Sequence, residues 1–237
     1  MRKKTLSERL LKVTAFVSRG GVVADIGCDH AFASIYLIEN GIAKKCIASD
    51  VREGPVQSAR ANIKAHGLEG RIDVRLASGL SKVAPGEADT ILIAGMGGML
   101  MEKILREDLE TALSAKEWVL EPQSDAALVR KFIRDCGFVI DAEDMAVEEG
   151  KYYPVMHAVK GESDLSPSML ALYDRFGKIL LESGNPLVRE YLTQGKAHYE
   201  SVIAAITALP SMDQRTQERL SEMRSELELV EQALKLI

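Results

Sequence analysis

A short apolar run that ends in an acid and a single glycine constrains the fold of this chain more than any other feature. Residues 22–30 read Val-Val-Ala-Asp-Ile-Gly-Cys-Asp-His, which is typical of a buried parallel strand and the turn after it. A second apolar run over 46–49 ends in Asp50, about twenty-five residues after Asp25, and an acid at the tip of the second strand of an open α/β sheet usually hydrogen-bonds a nucleoside ribose. The spacing therefore predicts an α/β fold that binds a nucleoside at its strand ends.

The turn after the first strand argues against a dinucleotide. Asp29 and Ala31 stand where the dinucleotide fingerprint has further glycines. A pyrophosphate needs close approach of the backbone, and Asp29 would repel it. A nucleoside with a positive centre and no phosphate tolerates that acid. S-adenosylmethionine, with its sulfonium and ammonium groups, fits, whereas a nicotinamide oxidoreductase is disfavoured.

Strand and helix patterns alternate up to residue 159. Strands are predicted over 22–25, 46–49, 72–76, 90–94 and 118–120, and helices over 5–17, 31–40, 54–66, 99–105 and 125–136. Two further strands, 138–143 and 153–159, are separated by a short polar connection and predict an antiparallel hairpin at the sheet edge. The pattern indicates a mostly parallel seven-stranded sheet flanked by helices.

From about residue 163 the pattern indicates helices alone. Apolar residues recur at spacings of three and four over 192–209 and 220–237, on either side of Pro210. Two heptad-like helices joined by a turn predict an antiparallel coiled-coil hairpin. Its apolar stripes either only bury each other or belong to an arm that grips RNA or self-associates. We therefore predict two domains, 1–162 and 163–237, in a monomer or weak homodimer.

Charge is distributed unevenly along the 237 residues. The net charge is −5, yet residues 1–19 carry six basic side chains against one acid, while 161–237 carry eight against twelve. The basic N-terminal segment is either a solvated helix face or a phosphate-contacting surface. Its candidate RNA-binding residues are Arg2, Lys3, Lys4, Arg9 and Lys12.

Cysteine spacing and hydropathy give expectations about the cellular environment. The three cysteines have no paired spacing, which favours reduced thiols and gives little support for a metal site. Neither an apolar run long enough for a membrane span nor a hydrophobic leader is present in the sequence. We therefore expect a cytoplasmic protein without a metal or a membrane partner.

The ends of the predicted strands supply the candidate cofactor site. Asp25 is expected near the methionine end of the cofactor, Gly27 to allow close backbone approach, and Asp50 to accept from the ribose hydroxyls. Ser78 would read the adenine edge where many methyltransferases use Asp. Each acid alone could instead cap a helix. The candidate cofactor-binding residues are Asp25, Gly27, Asp50, Val51, Ser78, Gly79, Ala94 and Gly95.

The fourth strand ends in the glycine-rich turn Gly-Met-Gly-Gly at 95–98. Adenine-N6 and cytosine-N4 methyltransferases instead carry an Asp/Asn-Pro-Pro-aromatic motif there, whose acceptors hold an exocyclic amine. A ring nitrogen presents an in-plane lone pair and needs mainly alignment. Methylation at adenine N1 leaves a cationic base, which Asp29 or a neutral His30 could stabilise or deprotonate. The candidate catalytic residues are Asp29, His30 and Met96; His30 could equally bond the backbone, and Met96 could pack in the core.

Three motifs resemble the bacterial tRNA (adenine-22-N1)-methyltransferase family. They are Asp-Ile-Gly-Cys-Asp-His-Ala at 25–31, Ile-Ala-Gly-Met-Gly-Gly at 93–98 and Glu-Glu-Gly-Lys-Tyr-Tyr at 148–153. The Glu-Gly-Pro turn at 53–55 matches as well. The resemblance implies a Rossmann-like class I methyltransferase fold with a C-terminal antiparallel coiled coil. It also implies methyl transfer from S-adenosylmethionine to N1 of an adenine in the D-arm region of tRNA.

This chain departs from the family pattern at two strand ends. Ser78 stands where the family often has Asp or Asn, and Leu-Glu-Pro-Gln at 120–123 replaces the common Leu-Gln-Pro-Asn. Glu121 could accept from adenine N6 or suit a different acceptor. The alternatives are therefore a methyltransferase acting on a small molecule or a protein, and a tRNA-binding module without chemistry.

A base-paired N1 is unreachable, so the target adenine is expected to flip out of the stack into a cleft at the turn after strand four. Lys and Arg contacts to phosphate would offset the cost of flipping. The remaining candidate substrate-binding residues are Gly97, Glu121, Lys151 and Tyr152.

Overall fold

In the computed structural model, which describes residues 6–237, the chain forms two compact units. The N-terminal unit ends at Asp164, and the C-terminal unit comprises Leu165–Ile237. Of the helices in the described residues, none has the length and apolar character that crossing a bilayer requires.

A seven-stranded sheet forms the centre of the N-terminal unit within the described residues. Its strands are β1 (Val22–Ile26), β2 (Lys45–Asp50), β3 (Ile72–Leu76), β4 (Thr90–Gly97), β5 (Glu117–Ser124), β6 (Phe138–Glu148) and β7 (Lys151–Lys160). They lie in the order β3-β2-β1-β4-β5-β7-β6, and β7 runs antiparallel to both of its neighbours. The predicted mostly parallel sheet with a reversed hairpin at one edge is confirmed.

Helices cover both faces of this sheet. They are α1 (Glu8–Ala15), α2 (Phe32–Glu39), α3 (Glu53–Ala65), α4 (Gly98–Glu107), α5 (Leu109–Ser114) and α6 (Ala126–Asp135). Alternate strand residues enter different apolar cores: in β1, Ala24 and Ile26 belong to one and Val23 to the other. Burial on both faces explains the nearly continuous apolar runs of the sequence. The carboxyl ends of the parallel strands gather at one edge of the sheet, where ligands bind in such folds.

The structure corrects the bounds of one helix and adds another. α1 begins three residues later than predicted, where Ser7 Oγ accepts a hydrogen bond from the Leu10 backbone N–H at 3.4 Å, and it ends at Ala15. The short helix α5 was not predicted. Its Ala112 carbonyl accepts a 2.9 Å bond from the buried Trp118 indole N–H, a tertiary contact that local periodicity does not reveal.

Strands β4 and β5 run three or four residues beyond their predicted ends, to Gly97 and Ser124. Their pairing slips on either side of Met96, which lies opposite Pro122. A slip of this kind bends a strand and redirects its side chains. Because the added residues other than Met96 are glycine, proline or polar, hydropathy did not indicate the extension.

The C-terminal unit is helical in its described part. After a 3₁₀ turn, its helices are α7 (Leu170–Phe176), α8 (Lys178–Glu182), α9 (Pro186–Thr207) and α10 (Gln214–Leu234). Asn185 caps α9 by accepting from the Leu187 N–H at 2.9 Å, and Asp213 caps α10 by accepting from the Thr216 N–H at 2.8 Å. These caps satisfy backbone donors that a helix start leaves free.

Helices α9 and α10 pack against each other. Leu192 of α9 and Val230 of α10 are buried, and Lys196 hydrogen-bonds Glu231 across the pair. Both predicted C-terminal helices are therefore present, while coiled-coil packing along their length stays a prediction.

Candidate functional site

A cleft of about 750 Å³ lies at the carboxyl ends of β1, β2 and β4. The eight candidate cofactor-binding residues all line it: Asp25, Gly27, Asp50, Val51, Ser78, Gly79, Ala94 and Gly95. The candidate catalytic residues line it as well: Asp29, His30 and Met96. Residues that the sequence places at or just after strand ends thus line one cleft.

Asp25 is the buried acid of the cleft. The residue is only 3 % exposed, and its Oδ2 accepts a 2.6 Å hydrogen bond from the Ser34 hydroxyl. Burial raises the pKa of Asp25 to about 6, although the Ser34 hydrogen bond acts in the opposite direction. A cation bound beside this carboxylate would therefore favour its ionised form.

Backbone hydrogen bonds hold the carboxyl ends of β1 and β2 together. The N–H groups of Gly27 and Cys28 both donate to the Ser49 carbonyl, at 2.8 and 2.9 Å. Asp50 is buried, and its Oδ1 accepts from the Arg52 backbone N–H at 2.9 Å, which leaves Oδ2 for a ligand donor. Val51 beside it is 66 % exposed, an apolar surface next to the carboxylate.

The turn between β1 and α2 is strained. Asp29 and Ala31 both adopt positive φ, +49° and +58°, a conformation that costs a non-glycine residue about 1 kcal/mol or more. Asn62 Nδ2 supports the turn by donating to the His30 carbonyl at 3.0 Å. The His30 Nε2 lies 3.6 Å from Asp29 Oδ2, and both side chains are exposed to the cleft.

Arg9, a candidate phosphate contact, is paired with two acids, and its role toward RNA stays a prediction. Its Nη1 lies 2.6 Å from Glu121 Oε2 and its Nε lies 2.8 Å from Glu148 Oε2, with only 13 % of the side chain exposed. Its guanidinium is thus engaged by two carboxylates although the residue lines the cleft. Distant segments supply those partners, so the basic run of the sequence did not reveal them.

Glu121, a candidate base contact, lies behind the cleft wall, and its role toward the base stays a prediction. It is fully buried, does not line the cleft, and its Oε2 accepts the Gly95 backbone N–H at 2.8 Å. Burial raises the pKa of Glu121, against the lowering effect of Arg9. Glu121 therefore anchors the carboxyl end of β4 from behind the cleft wall.

The remaining candidate RNA contacts lie away from the cleft or outside the described residues. Arg2, Lys3 and Lys4 belong to the segment 1–5, which the structure does not describe. Lys12 forms a 2.5 Å ion pair with Asp144. The others, Gly97, Lys151 and Tyr152, are not part of the cleft lining.

Two cleft-lining groups were missed. Gln123 of β5 and the α4 face formed by Leu100, Lys103 and Glu107 all line the cleft. The sequence did show Gln123 as a departure from the family pattern, directly after Pro122, but gave no sign of where its side chain lies. Among the described residues, no three His, Cys, Asp or Glu side chains are placed to hold a metal ion.

Comparisons with known proteins agree on one family. A methyltransferase-domain family model matches residues 6–156. The chain is 32 % identical over 241 residues to the tRNA (adenine(22)-N(1))-methyltransferase of Bacillus subtilis, covering 99 % of each chain.

Two solved structures are similar over nearly the whole chain. The B. subtilis m1A22 tRNA methyltransferase has 30 % identity and a TM-score of 0.87, covering 97 % of this chain and 99 % of that one. A putative tRNA (m1A22) methyltransferase from Streptococcus pneumoniae, in complex with S-adenosyl-L-methionine, has 33 % identity and a TM-score of 0.83 and covers 97 % of this chain and 100 % of that one.

Proposed function

The chain belongs to the tRNA (adenine(22)-N(1))-methyltransferase family, and from that premise we propose how its cleft carries out the reaction. The enzyme transfers the methyl group of S-adenosylmethionine to N1 of adenine 22 in tRNA. The observation that carries this function is the identity of 32 % across the full length of the curated relative. The resemblance drawn from the three sequence motifs is confirmed.

The reaction is tested by giving the purified protein S-adenosylmethionine and unmodified tRNA transcripts with adenine or guanine at position 22. Nuclease digestion and mass spectrometry should detect 1-methyladenosine from the adenine transcript alone. Product from both transcripts would place the modification at another adenine. Cofactor binding without product on any transcript would favour the tRNA-binding module without chemistry.

The acceptor side chains of the cleft fit S-adenosylmethionine, which supplies an electrophilic methyl group when bound. Asp50 Oδ2 accepts from the ribose hydroxyls, and exposed Val51 packs against the adenine ring. Ser78 offers a neutral acceptor for the adenine amine. Asp25 lies toward the methionine end, where its carboxylate pairs with the ammonium. Asp29 and Ala31 stand where the dinucleotide fingerprint has glycines, which agrees with a ligand that has no phosphate.

The target adenine flips into the cleft beside Gly95, whose missing side chain leaves room for a base. With the cofactor bound, its N1 lone pair would take the methyl group as the carbon–sulfur bond breaks, which would leave the base cationic. Asp29, exposed at the strained turn, stabilises that charge, and His30 orients the carboxylate. Alignment rather than proton removal is the main requirement at N1, because the lone pair is already in the ring plane.

Cofactor affinity is expected to fall at acid pH. The pKa of Asp25 is about 6 in the folded protein, so acidification neutralises the partner of the cofactor ammonium. The dissociation constant should rise about tenfold per pH unit below 6 and level off above it. Calorimetric titration between pH 5 and 8 measures this. Asp25→Asn should bind the cofactor more weakly than wild type at pH 8, and its dissociation constant should change little with pH. If the variant keeps the pH dependence of the wild type, Asp25 is not the group that pairs with the cofactor ammonium.

The raised pKa of Asp25 makes the stability of the folded protein depend on pH in the direction opposite to cofactor affinity. The folded pKa exceeds the ordinary value of 3.8, so folding favours protonated Asp25. Its contribution to stability is therefore present at low pH and lost as the pH rises from 3.8 through 6. Bound cofactor should offset that loss.

The wider organisation follows from the same proposal. Residues 1–162 form the catalytic domain, and 163–237 form a helical coiled-coil domain that offers a further tRNA-binding surface. The contact boundary at Asp164 and the packing of α9 on α10 support this division. The protein acts in the cytoplasm, where tRNA is matured, as a monomer or weak homodimer.

A further inference from the structure

Gln123 lies at the part of the cleft where the base is proposed to enter. A Cβ built on Gly95 would lie 3.9 Å from Gln123 Nε2, so this amide borders the open space above Gly95. Glu121 and Pro122 before it are buried, whereas Gln123 is exposed and lines the cleft. The irregular pairing of β4 with β5 produces this change of side.

The Gln123 amide is available to a ligand. Within the described residues, the Gln123 side chain forms no hydrogen bond. Its neighbour Ser124, by contrast, donates to Asp125 at 2.7 Å. Among the described residues that line the cleft, Gln123 alone carries a carboxamide, a group with a donor and an acceptor in one plane.

A carboxamide matches one edge of adenine. Gln and Asn form paired hydrogen bonds with adenine by accepting from N6–H and donating to N7. This Hoogsteen edge stays available when N1 receives the methyl group, whereas an amide on the N1 edge would block the reacting atom. Guanine presents O6 instead of an amine, which would leave the amide oxygen facing another acceptor.

We propose that Gln123 is a specificity-determining residue that binds the N6 and N7 positions of the target adenine, leaving N1 free. The inference rests on the proposed reaction. The expected loss for Gln123→Ala is about 10–100-fold in kcat/KM on tRNA with adenine 22, the range for one paired base contact. Gln123→Asn keeps both groups and should recover much of the activity.

A cycle of enzyme and substrate changes tests the contact itself. Synthetic tRNA with 7-deazaadenine at position 22 lacks the N7 acceptor, and the wild-type enzyme should methylate it about 3–10-fold less efficiently. Gln123→Ala should methylate adenine and 7-deazaadenine with equal efficiency, because the variant has no amide left to donate to N7. Independent losses that multiply, or full activity of Gln123→Ala on adenine 22, would overturn the inference.

Two controls separate this inference from the reaction and from folding. Gln57→Ala removes an exposed carboxamide from α3, outside the cleft lining, and should behave as wild type on both substrates. Unchanged S-adenosylmethionine affinity of Gln123→Ala would show that the cofactor site is intact. Absence of product from the wild-type enzyme on adenine 22 would instead count against the proposed function.

Discussion

Replacement of Arg9 by alanine is expected to lower the free energy of unfolding by about 3 kcal/mol, because it leaves a buried carboxylate without its countercharge. Arg9 Nη1 lies 2.6 Å from Glu121 Oε2, and the Glu121 side chain is 0 % exposed. Without the guanidinium, that oxygen keeps only the Gly95 N–H at 2.8 Å. Urea unfolding followed through the fluorescence of the one tryptophan, Trp118, measures the loss.

A matched variant removes the same charge from the same helix. Lys12 pairs with Asp144, but their side chains are 35 % and 32 % exposed, so Lys12→Ala should cost less than about 1 kcal/mol. The double variant Arg9→Ala/Glu121→Gln should regain part of the loss, since a neutral amide still accepts from the Gly95 N–H. Equal losses for Arg9→Ala and Lys12→Ala would contradict the role of the buried pair.

Acidification should reduce the difference in the free energy of unfolding between Arg9→Ala and wild type. Burial already raises the pKa of Glu121, and removal of Arg9 raises it further. Protonation of the carboxyl at low pH then removes the uncompensated charge, so the variant is penalised most at neutral and alkaline pH. A loss of tRNA affinity in Arg9→Ala with unchanged stability would instead support the prediction that Arg9 contacts phosphate.

The sequence predicted the sheet and the strand-end acids well, for a physical reason. Strands buried on both faces must be apolar throughout, and their carboxyl ends must meet at one edge. Asp25 and Asp50 could therefore be placed in the same cleft from their positions after apolar runs alone. Such reasoning needs only local composition and a general rule of topology.

The side chains of β5 could not be placed in this way. Glu121 and Gln123 lie two residues apart, which in a regular strand would put them on the same face. The irregular pairing around Met96 breaks that alternation, so one becomes a buried anchor and the other lines the cleft. The ion pairs of Arg9 could not be predicted for a related reason, because its partners Glu121 and Glu148 are 112 and 139 residues away.

Two glycines, Gly95 near the end of β4 and Gly98 at the start of α4, should respond to alanine in different ways. A Cβ at Gly98 would lie 2.7 Å from the carbonyl oxygens of both Ser124 and Asp125, and backbone atoms cannot rotate away as a side chain can. Gly98→Ala should therefore force the start of α4 away from β5 and lower the free energy of unfolding by about 3 kcal/mol. Urea unfolding of Gly98→Ala and of the control variant Gly54→Ala measures this effect. The added methyl group of Gly54→Ala meets nothing within 4 Å, so a loss confined to Gly98→Ala reports the clash rather than a general effect of replacing glycine.

Gly95→Ala should instead remove activity while the fold persists. Its φ of +76° makes a side chain cost about 1–2 kcal/mol, yet the nearest described atoms, Arg9 Nη1 and Gln123 Nε2, are 3.9 Å from the added Cβ. The methyl group would occupy the space proposed for the flipped adenine. Methyl transfer should fall by at least about 100-fold, the cost of a misplaced reacting base, while S-adenosylmethionine still binds. Normal turnover in Gly95→Ala would show that the base enters elsewhere.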